Sequence, residues 1–159
     1  MEQLKEYLEK LESADMTAAF CIDGEEEAEV RGVTFDSKEV VSGGIFVCKG
    51  KNFRVEYLKE ALERGCICYV SEKRYELSEE TAWIQVKDIR KAMPVLAAIF
   101  YRTEPLPLHL TGVTGTKGKT TTSYYIKAIL DVWEKKQQGK ETGILSSVDI
   151  YDGKELVPA

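Results

Sequence analysis

Histidine and paired cysteines are scarce in this chain of 159 residues, which argues against a metal site built from these residue types. His109 is the only histidine, and Cys21, Cys48, Cys66 and Cys68 show no CxxC spacing. A structural zinc site usually needs four such ligands. We therefore expect the cysteines to be buried free thiols, which behave as small apolar residues. Thiols that stay reduced indicate an intracellular protein.

Long apolar runs and blocks of basic residues are also absent. No apolar run approaches the roughly 18 residues of a membrane-spanning helix. The N-terminus is a charged amphipathic stretch without the apolar segment of a secretory signal. Lys and Arg total 22 against 27 Asp and Glu, a net charge of −5, which argues against a nucleic-acid surface. We expect a cytoplasmic protein that neither inserts into membranes nor binds nucleic acid.

Enough apolar residues are present for a core, and one proline-rich segment divides the chain. The sequence is 43% hydrophobic and 31% charged, as globular domains are. Pro105 and Pro107 stiffen the chain and exclude a helix or central strand there. We predict an α/β domain over residues 1–103, a linker over 104–107, and the beginning of a second α/β domain over 108–159. About 50 residues are too few for a nucleotide-binding domain, so we expect a fragment.

Apolar periodicity predicts the elements of both domains. Gly65 is expected to end the second helix and Asp88 to cap the third, which Pro94 should kink. In the second domain, we expect a buried strand over Leu108 to Val113 and a turn at Asp152-Gly153. The remaining helices are predicted at 2–12, around 55–62, at 89–102 and at 123–133, and the remaining strands at 30–35, 45–48, 66–70, 83–86 and 143–148.

The stretch Leu110 to Thr122, L-T-G-V-T-G-T-K-G-K-T-T-T, carries the clearest chemistry. A strand, a glycine-rich loop, Lys-Thr and a helix form the layout that binds nucleotide phosphates. Gly115 and Gly118 would let successive N–H groups point into one concavity at a helix N-terminus. Lys119 would reach the β- and γ-phosphates, and the Thr120 hydroxyl would bind Mg²⁺. The predicted ATP contacts are Gly115, Thr116, Lys117, Gly118, Lys119, Thr120 and Thr121.

The general motif G-x-x-x-x-G-K-[ST] is not met, because Val113 stands where its first glycine belongs. The variant T-G-T-K-G-K-T-T instead resembles the ATP-binding loop of the Mur ligase family. Thr34 to Lys38, T-F-D-S-K, and Gly43 to Val47, G-G-I-F-V, are similar to the T-x-D-S-R/K…G-x-x-F-V signature of its MurE type. Val86 to Arg90, followed by Phe100-Tyr101 and the loop, keeps the family's order. The resemblance thus extends over nearly the whole chain.

The resemblance implies an ATP-dependent amide-bond ligase of peptidoglycan synthesis, acting as a monomer with ATP and Mg²⁺. Such enzymes add the third amino acid to UDP-N-acetylmuramoyl-L-alanyl-D-glutamate: ATP phosphorylates a substrate carboxylate, and the amino acid's amine then displaces phosphate. Lys119 would be the catalytic residue and Thr120 the metal ligand. A fragment without the later domains should not turn over. By position, the uridine-nucleotide contacts would be Phe35, Ser37, Lys51, Asn52 and Phe53.

Several other interpretations are open at this point. A P-loop kinase or NTPase would need an acidic residue at a following strand end, and Asp149 is a weak candidate because a turn follows it. A non-catalytic nucleotide-binding module, another Mur-type ligase and a folylpolyglutamate-type ligase are further alternatives. The residues Lys49 to Arg54 depart from the G-x-x-x-D-G of many relatives. Asp36-Ser37 could simply form a turn, and Phe53 could belong to the core.

Overall fold

The computed structural model describes residues 2–77, 81–103, 109–137 and 142–159. The chain forms two compact units, Met1–Leu106 and Pro107–Ala159. The predicted linker over 104–107 lies outside the described residues. The division into domains 1–103 and 108–159 therefore stays a prediction.

The first unit is built on a five-stranded, mostly parallel sheet in the order β1-β5-β4-β3-β2, in which only the β1–β5 pairing is antiparallel. A short 3-10 helix, Ser37–Glu39, follows β2. The mixed α/β fold expected from the sequence is confirmed. The elements are α1 (Leu4–Ser13), β1 (Thr17–Cys21), β2 (Gly32–Thr34), β3 (Gly44–Val47), α2 (Val55–Glu63), β4 (Cys68–Ser71), β5 (Ala82–Val86) and α3 (Ile89–Phe100).

The sheet of the first unit is covered on both faces. Alternate side chains of a strand point to opposite faces: Ile45 and Val47 enter one apolar cluster with the buried residues of α1 and α3. Phe46 and Cys48 enter a second cluster with those of α2. All four residues of β3 are buried, as are all four of β4. This double burial explains why these strands read as continuous apolar runs rather than as alternating ones.

Local signals in the first unit are confirmed, and one strand was not predicted. Asp88 accepts hydrogen bonds from the backbone N–H groups of Arg90 and Lys91 at 2.9 and 3.3 Å, which fixes the start of α3. Gly65 follows α2 with φ +87, the left-handed conformation expected after a helix end. This strand, β1, could not be predicted, because its three central residues are exposed and give no apolar alternation. Pro94 lies inside α3, and its kink stays a prediction.

The second unit contains α4 (Lys119–Gln137) and a three-stranded antiparallel sheet of β6 (Ile144–Leu145), β7 (Asp149–Tyr151) and β8 (Leu156–Pro158). The helix predicted at 123–133 is confirmed and is longer at both ends. The strand predicted at Gly143 to Val148 is wrong beyond Leu145. Ser146 ends it because its hydroxyl oxygen accepts the N–H groups of Val148 and Asp149, both at 3.1 Å. The Asp152-Gly153 turn is confirmed, with Gly153 at φ +97.

The strand expected over Leu108 to Val113 is also wrong. Residues 109–113 form no strand, and Leu108 lies outside the described residues. A strand exists only through hydrogen bonds to a neighbour, and the described strands of this unit pair with one another instead. Leu110 is 89% exposed rather than buried.

Cys48, Cys66 and Cys68 are buried free thiols, and Cys21 is half-buried and free. Burial raises the pKa of the Cys66 thiol to about 11, with its hydrogen bonds to backbone carbonyls opposing that shift. None of the described helices is long and apolar enough to cross a membrane.

Candidate functional site

The phosphate-loop candidate lies at the N-terminus of α4. Gly115 and Gly118 adopt φ values of +148 and +76, which other residues rarely tolerate. The Gly118 carbonyl accepts the N–H of Thr122 at 2.9 Å, the first hydrogen bond of the helix. The loop therefore leads directly into a helix N-terminus, where unpaired N–H groups and the helix dipole favour an anion. The glycine positions follow the sequence prediction even though the strand before them does not.

The loop is open to solvent. Gly115 to Lys119 are exposed, as is Thr121, whereas Thr120 is half-buried. Lys119 Nζ lies 2.9 Å from the Gly115 carbonyl oxygen, so its ammonium closes the turn across the loop. A side chain added at Gly118 would meet nothing within 4 Å, which leaves space beside the backbone. Backbone donors, a lysine and free space fit the phosphate groups of a nucleotide.

A magnesium ion fits this loop only together with such phosphates. The described residues contain no group of three or more His, Cys, Asp or Glu side chains that could hold a metal. The Thr120 Oγ1 is the loop's hydroxyl ligand of the right type, and it lies 3.4 Å from the Ser147 Oγ in the turn after β6. Ser147 was not singled out in the sequence, because only the packing of β6 beside α4 brings the two hydroxyls together. Oxygen ligands supplied mainly by phosphate and water are usual for Mg²⁺.

Asp149, the candidate acidic residue of a kinase-like site, is engaged elsewhere. The Tyr124 hydroxyl donates to its Oδ1, and the Ser146 hydroxyl lies 3.4 Å from the same oxygen. The hydrogen bond to Asp149 raises the pKa of Tyr124. The carboxylate opens β7 rather than ending a strand, which does not favour a kinase or switch.

The substrate-site candidate lies in the first unit, where β2 and β3 end. Because these strands are parallel, Phe35 and the residues after Val47 leave the sheet at the same edge, the one at which open α/β sheets bind ligands. Phe35 is 57% exposed, and Lys51 and Asn52 are exposed in a turn. Gly50 permits this turn with φ +108, and its carbonyl accepts the Phe53 N–H at 3.2 Å.

Two of the predicted substrate contacts also have structural partners. Ser37 is buried, and its hydroxyl donates to Glu60 Oε2 at 2.6 Å. Arg64, which directly follows α2, donates to the Lys38 carbonyl at 3.2 Å, so one side chain of α2 and one at its C-terminal end hold the 3-10 helix. Glu60 could not be found from the sequence, because it lies 23 residues from Ser37 and is joined to it only by packing.

Phe53 is half-buried beside three aromatic rings. Its ring centroid lies 6.4 Å from those of Phe46 and Tyr57 and 5.6 Å from that of Tyr75. This packing is the core role that the sequence left open for Phe53. The structure therefore brings Phe35, Ser37 and the 51–53 turn to one region of the first unit, and their binding roles stay predictions.

Comparisons with known proteins connect the chain to one family. No family model matches the chain. It is 42% identical over 120 residues to the UDP-N-acetylmuramyl-tripeptide synthetase of Lactobacillus delbrueckii, covering 76% of this chain and 22% of the relative. It is 43% identical over 129 residues to the UDP-N-acetylmuramoyl-L-alanyl-D-glutamate–L-lysine ligase of Enterococcus faecalis, covering 80% and 24%.

A third relative extends the similarity along the chain. The UDP-N-acetylmuramoyl-L-alanyl-D-glutamate–2,6-diaminopimelate ligase of Alkaliphilus metalliredigens is 31% identical over 160 residues, covering 99% of this chain and 30% of the relative. The chain thus spans about a quarter of the length of the curated relatives it matches.

Solved structures of Mur ligases also match the chain. The crystal structure of MurF from Acinetobacter baumannii matches with a TM-score of 0.59 and 25% identity, over 78% of this chain and 27% of that one. MurF ligase from Thermotoga maritima, solved in complex with ADP, matches with a TM-score of 0.50 and 31% identity, over 68% and 24%. The chain belongs to the Mur ligase family, and the curated relatives it matches are of the MurE type.

Proposed function

We propose that this chain supplies the nucleotide-substrate and ATP-phosphate contacts of an ATP-dependent ligase of peptidoglycan synthesis. The ligase would add the third amino acid to UDP-N-acetylmuramoyl-L-alanyl-D-glutamate, working as a monomer in the cytoplasm. The observation that carries the proposal is the similarity to enzymes of that name over 76% to 99% of the chain. The glycine loop at the start of α4 supports the same reading, because its backbone suits phosphate binding.

Each candidate site has its own task in this proposal. The backbone N–H groups of Gly115 to Thr121 would bind the ATP phosphates. Lys119 would leave the Gly115 carbonyl to contact the β- and γ-phosphates, and Thr120 would bind Mg²⁺, which neutralises phosphate charge when bound. In the first unit, Phe35, Ser37 and the 51–53 turn would hold the uridine nucleotide. The amino acid site is not part of this proposal, so the 159 residues alone should bind both ligands without turning over.

Chemical-shift mapping of the 159-residue chain tests both assignments separately. UDP-N-acetylmuramoyl-dipeptide should perturb amides around Ser37 and Asn52, whereas ATP with Mg²⁺ should perturb Gly115 to Thr121. We expect dissociation constants of about 1 mM, equivalent to about −4 kcal/mol. In Lys119→Ala the ATP response should weaken by about tenfold or more, because one charged phosphate contact is lost. The variant Lys136→Ala removes a lysine near the other end of α4 and serves as its control.

Three results would contradict the proposal. An ATP response without any response to the UDP-sugar would favour a P-loop NTPase or kinase over a ligase. A UDP-sugar response without an ATP response would remove the nucleotide role of the loop. Equal ATP binding by Lys119→Ala and the wild type would remove the role of Lys119 in phosphate binding.

A further inference from the structure

Lys49 lies two residues beyond β3, at the edge of the sheet that carries the candidate substrate site. No role was predicted for it from the sequence. Its side chain does not extend freely into solvent: the residue is half-buried, and its Nζ lies 3.4 Å from the Met93 Sδ on α3. The same Nζ lies 4.3 Å from the centroid of the Phe35 ring. Two elements therefore fix the position of this ammonium group.

Neither contact satisfies the ammonium group. A thioether is a weak hydrogen-bond acceptor, and an aromatic face attracts a cation without accepting a full hydrogen bond. Among the residues that the structure describes, no carboxylate lies within 4.0 Å of Lys49, although other lysines such as Lys5 and Lys87 are paired at 2.6 Å. A half-buried cation with three donors and no anionic partner is costly unless a ligand or water supplies the acceptors.

The surroundings of Lys49 indicate which ligand that is. Phe35 comes directly after β2, and the exposed turn containing Lys51 and Asn52 begins one residue after Lys49. These residues are the predicted contacts of the uridine nucleotide. A diphosphate placed beside them would offer several charged oxygens to an ammonium group that is already positioned, so little side-chain entropy would be lost on binding.

We propose that Lys49 is a phosphate-contact residue for the uridine diphosphate part of the substrate, held in place by Phe35 and Met93. This inference rests on the proposed function, because it takes the uridine nucleotide as the ligand of the first unit. Lys51 lies in an exposed turn and would contribute as a mobile charge. Lys49 would instead fix where the diphosphate lies, and the ring of Phe35 would set the position of Lys49.

The test uses the 159-residue chain with UDP, uridine and inorganic pyrophosphate as probes, titrated separately by NMR. Lys49→Met keeps the length and the apolar contacts of the side chain but removes its charge. We expect it to bind UDP about tenfold more weakly than the wild type, in line with the loss of one charge-assisted hydrogen bond. Its affinity for uridine should change less than about twofold, because uridine has no phosphate.

Two further variants separate charge from structure. Lys49→Arg should retain most of the UDP affinity, since it restores a cation at the same place. Lys59→Met makes the same charge change on the exposed face of α2 and should bind UDP as the wild type does. Should Lys49→Met fail to fold in thermal unfolding, Lys49→Gln replaces it with the same expected loss.

The outcomes distinguish this inference from the proposed function. Unchanged UDP affinity in a folded Lys49→Met or Lys49→Gln would overturn the inference and leave the proposed function in place. Equal losses for UDP and uridine would show a purely structural lysine and would also overturn it. Pyrophosphate bound as tightly as UDP would overturn the nucleotide as the ligand. A wild-type chain that binds neither UDP nor uridine would contradict the proposed function itself.

Discussion

The two units of this chain differ in how their structure is held. In the first unit, β3 and β4 are buried along their whole length and packed on both faces. In the second, none of the described side chains is buried, and apolar residues such as Ile129, Trp133 and Leu145 are 70%, 54% and 79% exposed. Burial of apolar surface is the main favourable contribution to folding. The first unit therefore has a core of its own, whereas the described residues of the second carry the candidate phosphate loop without a buried core.

The candidate phosphate loop and the core of the first unit depend on different parts of the sequence. The curvature of the loop comes from Gly115 and Gly118, whose φ values are a local property of the backbone. The core comes from long-range pairing, such as Val47 beside Val70 in β3 and β4. A short motif can therefore specify the geometry of the candidate phosphate loop while contributing little to stability.

The largest expected effect is seen when the units are expressed separately. Residues 1–103 should unfold cooperatively with temperature, because they contain both apolar clusters. Residues 104–159 should show no cooperative thermal transition, because α4 and its short sheet bury no described side chain. Thermal unfolding by circular dichroism and a proton–nitrogen NMR spectrum measure this. Cooperative unfolding of residues 104–159, or a disordered segment 1–103, would contradict this difference between the two units.

A pair of isoleucines, one in each unit, tests the same difference in packing at single residues. Ile45 in β3 is fully buried, whereas Ile129 in α4 is 70% exposed. Ile45→Ala should lower the free energy of unfolding by about 2–5 kcal/mol, because it leaves a cavity in a packed core. Ile129→Ala should change it by less than about 0.5 kcal/mol, since it removes little burial and alanine favours a helix. Urea unfolding of the 159-residue chain measures both, and equal effects would mean that α4 is packed as tightly as β3.

The same contrast explains which features could be predicted from the sequence. The buried stripe Leu4, Tyr7, Leu8 and Leu11 of α1 was predictable because helical periodicity is local. The cap at Asp88 was predictable for the same reason. The first strand was not, because Thr17 to Cys21 is defined by antiparallel pairing with β5, far along the chain.

The candidate sites divide in the same way. The loop glycines were predictable from their spacing, but the strand expected before them was wrong, because a strand depends on a partner as well as on apolar residues. The contacts of Ser37 with Glu60 and of Lys49 with Phe35 join residues that only the folded sheet brings together. The sequence predicts such residues one at a time and leaves their partners undetermined.

The smallest expected effect concerns one hydroxyl in the first core. Tyr7 is fully buried, and its hydroxyl has no hydrogen-bond partner among the described residues. Tyr7→Phe removes that unsatisfied group and should raise the free energy of unfolding at pH 7 by about 1 kcal/mol. Tyr125→Phe, at a residue of α4 that is 69% exposed, is the matched control and should have almost no effect. Urea unfolding measures both variants, and a destabilised Tyr7→Phe would mean that the hydroxyl has a partner.

The pH dependence of the stability of Tyr7→Phe gives an independent check that the Tyr7 phenol is buried in the folded chain. Burial, followed by the negative charges of Glu2 and Glu6, raises the pKa of Tyr7 to about 12, whereas an unfolded tyrosine has a pKa of about 10. The folded chain therefore keeps its proton where the unfolded chain loses it. The stability that Tyr7 contributes through this proton is complete below about pH 10 and is lost as the pH rises towards 12. Tyr7→Phe cannot ionise, so its advantage over the wild type should widen above pH 10. A constant difference from pH 8 to pH 11.5 would show that the phenol ionises equally in both states and is not held in a core.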